Sequence, residues 1–222
     1  DERGTEKLRG DFIVKISFGG KDFLRMGGEK GQIITDQEGN EQTAWYKEIQ
    51  QMTLNESDDF ILVQLENDNW RLQRFSTKGF VTPECLEIEK ISFQKRDVLL
   101  VRTMDGRQQI IDSDGKPVTK SYKAILPAPN NIDIRAVMLE NGRTQLLRSD
   151  ETPMTGEFIG ACPTVTEKGI VFVITLDNGL KTVVTWDERR PIQPKLSVSV
   201  EDFNGSSELL VVHAAGKGQF VS

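Results

Sequence analysis

Gln108-Gln109-Ile110-Ile111-Asp112-Ser113-Asp114-Gly115-Lys116-Pro117-Val118-Thr119 is the stretch that decides the fold. An apolar pair runs into Asp-x-Asp-Gly, and a second short apolar run follows. Gly adopts positive φ at little cost and Asp tolerates the turn, so the stretch reads as a hairpin. Beyond it come Tyr122-Lys123-Ala124-Ile125 and the loop Pro127-Ala128-Pro129-Asn130-Asn131. Ile132 to Leu139 alternates partly between apolar and polar, as a half-buried strand does, and Glu140-Asn141-Gly142 closes the segment with another turn.

The same plan recurs along the chain. Gly31-Gln32-Ile33-Ile34, Gln108-Gln109-Ile110-Ile111, Thr144-Gln145-Leu146-Leu147, Lys181-Thr182-Val183-Val184 and Gly218-Gln219-Phe220-Val221 align, and Trp70-Arg71-Leu72-Gln73 aligns more loosely. Starts at 31, 70, 108, 144, 181 and 218 give steps of 39, 38, 36, 37 and 37. A fixed period of about 20–50 residues marks a solenoid, a propeller or an array. Inner turns recur at Asp36–Gly39, Ser76–Gly79, Ser149–Glu151 and Asp187–Arg189. Closing turns recur at Asn67–Asn69, Asp105-Gly106, Asn178-Gly179 and Ala215-Gly216. No stretch sustains a 3.6-residue period, so the expected class is all-β. Each unit supplies three or four short antiparallel strands that bury a face only against their neighbours.

The ends suggest how the array finishes. Lys15-Ile16-Ser17-Phe18 followed by Asp22–Met26 resembles Lys90-Ile91-Ser92-Phe93 followed by Asp97–Val101. Residues 11–30 therefore read as the second half of a unit, and residues 218–222 as the first strand of one. Together they would form one composite unit beside five whole ones, at 31–69, 70–107, 108–143, 144–180 and 181–217. The expectation is a β-propeller of about six small blades, closed by its own termini, which removes exposed edges. An open β-solenoid or a stack of meanders is the alternative. Residues 1–10 read as a charged, flexible leader.

Ile110-Ile111-Asp112-Ser113-Asp114-Gly115 with Tyr122, and more loosely Ile33-Ile34 with Gly39 and Tyr46, resemble the WG-repeat family. These are bacterial β-rich units that run Trp-Gly, two apolar residues, Asp, Gly and a later Tyr. Trp70 alone stands at the Trp position, and Gln32, Gln109, Gln145 and Gln219 occupy the Gly position. The resemblance spans nearly the whole chain. It implies a propeller-like or stacked-meander scaffold with binding roles, and it brings no catalytic residues.

The bulk numbers bound the partners. The chain has 222 residues, 37% of them hydrophobic, enough for one large all-β domain or two small ones. Its net charge of −6 repels phosphate, and Arg189-Arg190 is the one basic pair of note, so nucleic acid is not an expected partner. No apolar run approaches the roughly 18 residues that cross a bilayer. The start at Asp1 fits removal of an upstream segment. An exported or envelope location follows if that segment was a signal, and a cytoplasmic one otherwise.

Candidate chemistry is sparse. Asp112-x-Asp114-Gly115 lacks the third acidic ligand and distant Glu of a calcium loop, so it reads as a turn. His213, the single histidine, has no evident catalytic companion. Cys85 and Cys162 sit at different points of their units, so no disulfide is expected, and both read as small hydrophobes. Asn55-Glu56-Ser57 and Asn204-Gly205-Ser206 are sequons. No metal site, cofactor or catalytic residue is predicted. Tyr46, Tyr122 and Phe158 share one phase and read as packing residues. Trp45, Trp70 and Trp186 do not share a phase, and aromatic anchors outside a packing pattern dominate binding energy at interfaces. With Asn130, Asn131 and Asn204 from the irregular loops Pro127–Asn131 and Asp202–Ser207, they form the expected binding set. Asn55–Asp59 is a third such loop. The expected function is a non-enzymatic scaffold for a protein or peptide. The alternatives are a carbohydrate-binding or envelope-associated module, and a hydrolase or lyase with carboxylates at a propeller axis.

Overall fold

The structure is a computed structural model that describes residues 12–126, 134–166, 169–179, 181–185, 210–214 and 217–221. Among the described residues every regular element is a β-strand, so none is a helix able to cross a membrane. The chain divides into two compact units. The first comprises Asp1–Ile91 with Arg96–Ser121, and the second Ser92–Lys95 with Tyr122–Ser222.

In the first unit, β1 (Phe12–Phe18), β2 (Lys21–Gly28) and β3 (Gly31–Thr35) form an antiparallel meander. β4 (Glu48–Leu54), β5 (Ser57–Gln64) and β6 (Trp70–Arg74) repeat it, as do β7 (Cys85–Phe93), whose last two residues belong to the second unit, β8 (Arg96–Thr103) and β9 (Gln108–Ile111). One residue pair, Trp70 opposite Cys85, joins β6 to β7. In the second unit the meanders are β10 (Ala124–Leu126), β11 (Ile134–Met138), β12 (Thr144–Arg148), then β13 (Gly160–Thr166), β14 (Gly169–Thr175), β15 (Lys181–Thr185). β16 (Leu210–Ala214) pairs with β17 (Lys217–Val221). The all-β repeat is thus observed as antiparallel meanders.

Hydrogen bonding phases the meanders differently from the sequence blocks. The recurring Gln-apolar-apolar segment is the third strand of each meander rather than its first. Residues 12–28 therefore take Gly31–Thr35 as their outer strand. After each third strand the chain turns and runs back beside it. Gly39 N–H bonds Asp36 O, Gln42 N–H bonds Ile34 O, and Tyr46 and Gln32 exchange both backbone bonds. The later units repeat this through Gly115 to Asp112 and Val118 to Ile110, and through Glu151 to Arg148 and Met154 to Leu146. Phe158 and Thr144 exchange bonds as Tyr46 and Gln32 do.

A threonine locks the return in each of the first four meanders. The hydroxyls of Thr43, Thr82, Thr119 and Thr155 accept the amides of Ile34, Leu72, Ile110 and Leu146 at 3.0, 2.9, 3.0 and 3.2 Å. The glutamines at the WG-type glycine position reach the same corner: Gln109 and Gln145 donate to the Thr119 and Thr155 carbonyls. A side-chain amide there ties strand to return segment. Thr82→Val keeps shape and removes the acceptor, stranding the Leu72 amide. A loss of about 1–3 kcal/mol in urea denaturation is expected, and an unchanged midpoint would exclude the clamp.

Meanders pack face to face. Ile34 and Tyr46 of the first share a cluster with Ile49, Ile61 and Val63 of the second. Leu72 of the second meets Leu99 and Val101 of the third. Leu146 and Phe158 of the fourth meet Phe172 and Ile174 of the fifth. Cys85 takes the place of the recurring aromatic in its unit and is buried.

The expected loop Asn55–Asp59 is corrected by the structure. Asn55 and Glu56, with φ of 49° and 66°, form a two-residue hairpin turn, and β5 already begins at Ser57. Asn55 is clasped to Asp97: its backbone and side-chain amides donate to Asp97, and its side-chain oxygen accepts the Asp97 N–H at 2.9 Å. The sequon asparagine is therefore occupied by packing between successive meanders. Asn55→Ala removes these side-chain bonds and forces a β-carbon residue into positive φ. A loss of about 1–2 kcal/mol is expected on denaturation, and Asn55→Gly costs less.

Candidate functional site

The structure separates the expected binding residues. Trp45 is 40% exposed. Its backbone is held by its neighbour Tyr46, which is locked to Gln32. Trp70 lies half-buried against the Leu72–Leu99 cluster. Trp186, Asn130, Asn131 and Asn204 lie outside the described residues, as do the loops Pro127–Asn131 and Asp202–Ser207. His213 falls on β16.

Catalytic and metal readings find little chemistry to use. Asp112 Oδ1 accepts the amides of Asp114 and Lys116 at 2.9 and 2.8 Å, so this oxygen serves the turn, and Asp114 pairs with Arg74 at 3.0 Å. Among the described residues no three His, Cys, Asp or Glu gather as a metal site. Burial pushes the Cys85 thiol up, away from thiolate chemistry. Hydrogen bonds hold the carboxyls of Asp22 (from Lys15 and Ser17), Asp36 (from Asn40), Glu84 (from Asn67 and Asn69), Asp105 (from Thr103) and Asp150 (from Thr152) below their ordinary values. Each binds its proton more weakly folded than unfolded. Stability from these groups is present above the unfolded values of 3.8–4.5 and lost as pH falls through the lower folded values. Denaturation midpoints should hold from neutral pH to about 5 and drop below about 4; a fall already at pH 6 would show another group in control.

The most unusual chemistry lies in the second unit, around Arg135. In strand register one slot of the middle strand faces the residue that follows the threonine-held amide of the third: Leu24 opposite Thr35, Ile61 opposite Gln73, Leu99 opposite Ile111, Arg135 opposite Leu147, with Phe172 opposite Val184 in the fifth meander. Ile61, Leu99 and Phe172 are buried core. Leu24 is half-buried. Arg135 is 1% exposed. Its guanidinium forms an ion pair with Glu151 and lies over the Phe93 ring, 5.3 Å from the centroid. The Tyr122 hydroxyl donates to the same carboxylate. Nε, Nη1 and Nη2 of Arg135 have no hydrogen-bond acceptor among the described residues, so the contact with Glu151 is one of charge.

Glu151 is itself a departure from the repeat. By the turn hydrogen bonds it occupies the place of Gly39 and Gly115, with φ of 68° where the glycines have 86° and 81°. Lys78, φ 58°, is the equivalent in the second meander. A left-handed conformation costs a residue with Cβ roughly 1–2 kcal/mol. Burial lowers the Arg135 pKa, opposed by Tyr122 and Asp150, and burial raises that of Tyr122, opposed by Arg135. The sequence reading missed Arg135 and Glu151. Aligning middle strands rather than third strands exposes the first as a cation in an apolar column; aligning turns exposes the second as a missing glycine.

No protein-family model and no curated protein matches the chain, so the WG-repeat resemblance stays a likeness of motifs. Among solved structures the chain is similar to the C-terminal WD40 domain of Sif2, with a TM-score of 0.37 and 12% identity over 94% of this chain and 68% of that one. It is also similar to the computationally designed Ika8 protein, with a TM-score of 0.36 and 12% identity over 96% and 77%.

Proposed function

We propose that this chain is a non-enzymatic scaffold that binds a protein or peptide on a rigid β surface. One observation carries the reading: Trp45 is exposed at a position the repeat does not need. The equivalent residues in the next three meanders are Glu84, Ser121 and Glu157, so packing gives no reason for an indole there. Its backbone neighbour Tyr46 is pinned by two hydrogen bonds to Gln32, at 2.6 and 2.9 Å. A pre-positioned aromatic contributes contact area with little ordering cost.

The test uses a random-peptide phage library selected on the immobilised chain, with the selected peptides titrated by calorimetry. Trp45→Ala should weaken them about 30-fold, the size of a hot spot of ~2 kcal/mol. Stability should stay within about 0.5 kcal/mol, as for an exposed side chain. Unchanged affinity sinks the Trp45 site. An exposed indole also stacks on sugar, so a glycan array lit by the wild type and dark for Trp45→Ala would favour the carbohydrate-binding reading instead. A ring of about six such meanders, with residues 12–35 as a whole one, is part of the same proposal. A monodisperse sample should then scatter with a radius of gyration near the roughly 17 Å of a compact chain of this length, and a clearly larger value argues for an open array.

A further inference from the structure

Arg135 and Glu151 each break the repeat, and they meet. The fold fills the Arg135 slot with Leu24, Ile61, Leu99 or Phe172 elsewhere, and fills the Glu151 place with Gly39, Lys78 or Gly115, none of them acidic. A buried ion pair contributes little to stability against an apolar replacement, and strained residues persist where a site uses them. We propose that Arg135 is the floor of a carboxylate-binding site, that Glu151 is its resident stand-in, and that the ligand is a peptide carboxylate that displaces Glu151.

The geometry supports the exchange. Glu151 faces Nη2 as an ion pair, and none of the three guanidinium nitrogens has a hydrogen-bond acceptor among the described residues. A guanidinium presents donors in one plane and takes a carboxylate through two of them at once. The Phe93 ring packs against the guanidinium, and an aromatic face leaves in-plane donors usable. Glu151 sits on a turn flanked by the exposed Asp150 and Thr152, so rotation about a few backbone bonds moves it into water without shifting a strand. Carboxylate for carboxylate leaves the buried charge balance unchanged. The Tyr122 hydroxyl, which donates to Glu151, passes to the incoming group, and the positive φ at Glu151 is free to relax. The identity of the ligand as a peptide rests on the scaffold reading above; the site itself does not.

Glu151→Gly removes the stand-in and suits the left-handed turn. Its melting temperature is read in sodium acetate against sodium chloride at equal ionic strength. An acetate-specific rise of roughly 2–4 °C is expected at about four times the acetate Kd. The double variant Arg135→Leu/Glu151→Gly should show none. If Glu151→Gly is unfolded at room temperature, acetate-dependent recovery of its circular dichroism is the expected result. Equal behaviour in acetate and chloride overturns the site in either case. On the wild-type chain, three acetylated tripeptides separate the ligand sources: Gly-Gly-Gly with a free carboxyl terminus, its amide, and amidated Gly-Asp-Gly. One carboxylate peptide should bind at least about ten-fold more tightly than the neutral amide, a difference of one decade in Kd. The free terminus winning names a chain end, and Asp winning names an acidic side chain. Equal binding of all three overturns the peptide as ligand. Trp45→Ala leaves the acetate response intact, so failure of the Trp45 surface and failure of this site are distinguishable.

Discussion

Glu151→Ala should lose about 3–5 kcal/mol of unfolding free energy, because removing one partner of a buried ion pair leaves the other charge uncompensated. Arg135 cannot recover its solvation, since it is 1% exposed and its three guanidinium nitrogens already lack hydrogen-bond acceptors among the described residues. Glu151→Gly should lose roughly 1–2 kcal/mol less than the alanine, because glycine adopts the φ of 68° freely. Arg135→Leu in the Glu151→Gly background should recover the loss and bring the chain level with, or above, the wild type. It restores the apolar slot seen at Ile61 and Leu99 and the glycine turn seen at Gly39 and Gly115. Urea denaturation of the wild type, Arg135→Leu, Glu151→Gly and the double variant closes the cycle. If Arg135→Leu/Glu151→Gly is no more stable than Glu151→Gly, the buried charge is not the source of the loss. A gain above wild type would also show that the pair is retained for something other than stability.

Phe60→Ala should cost about 3–5 kcal/mol, the range for a fully buried phenylalanine cut to alanine. Phe60 belongs to the cluster that joins the second and third meanders, with Leu62, Leu72, Leu99 and Val101. Its ring also carries the Arg74 guanidinium at 4.7 Å, and Arg74 in turn reaches Asp114 of the third meander. Truncation therefore opens a cavity and releases an anchoring contact between meanders. Phe80→Ala is the matched control: its ring is 39% exposed under the Arg71 guanidinium, and its loss should stay below about 1 kcal/mol. Equal losses in the two variants would mean that stability does not follow the burial seen between meanders.

Much of this was legible in the amino-acid order. A strand is specified locally, by apolar pairs and by turns that need glycine or aspartate, so Ile110-Ile111-Asp112-x-x-Gly115 announces its hairpin without help from the rest of the chain. The period near 37 residues and the all-β class follow from repetition of that local signal. Tyr46 and Phe158 could be assigned to packing because a residue recurring at one phase recurs in one environment, and both are buried.

Tertiary structure alone decided the rest. Strand partnership depends on which segments meet in space, and the recurring Gln-apolar-apolar segment reads equally well as the first or the third strand of a meander; hydrogen bonding makes it the third. Trp45 and Trp70 are both tryptophans outside the repeating phase, yet one is exposed and the other packs on a core cluster, because exposure depends on what the neighbouring meander lays against each. Arg135 and Glu151 stand 16 positions apart in sequence, and neither belongs to a motif. Their meaning comes from register and turn geometry, which place a cation in an apolar column beside a glutamate in a glycine's place. Amino-acid order determines local conformation through short-range sterics and hydrogen bonds, whereas a site is made by long-range proximity, which only the packed chain supplies.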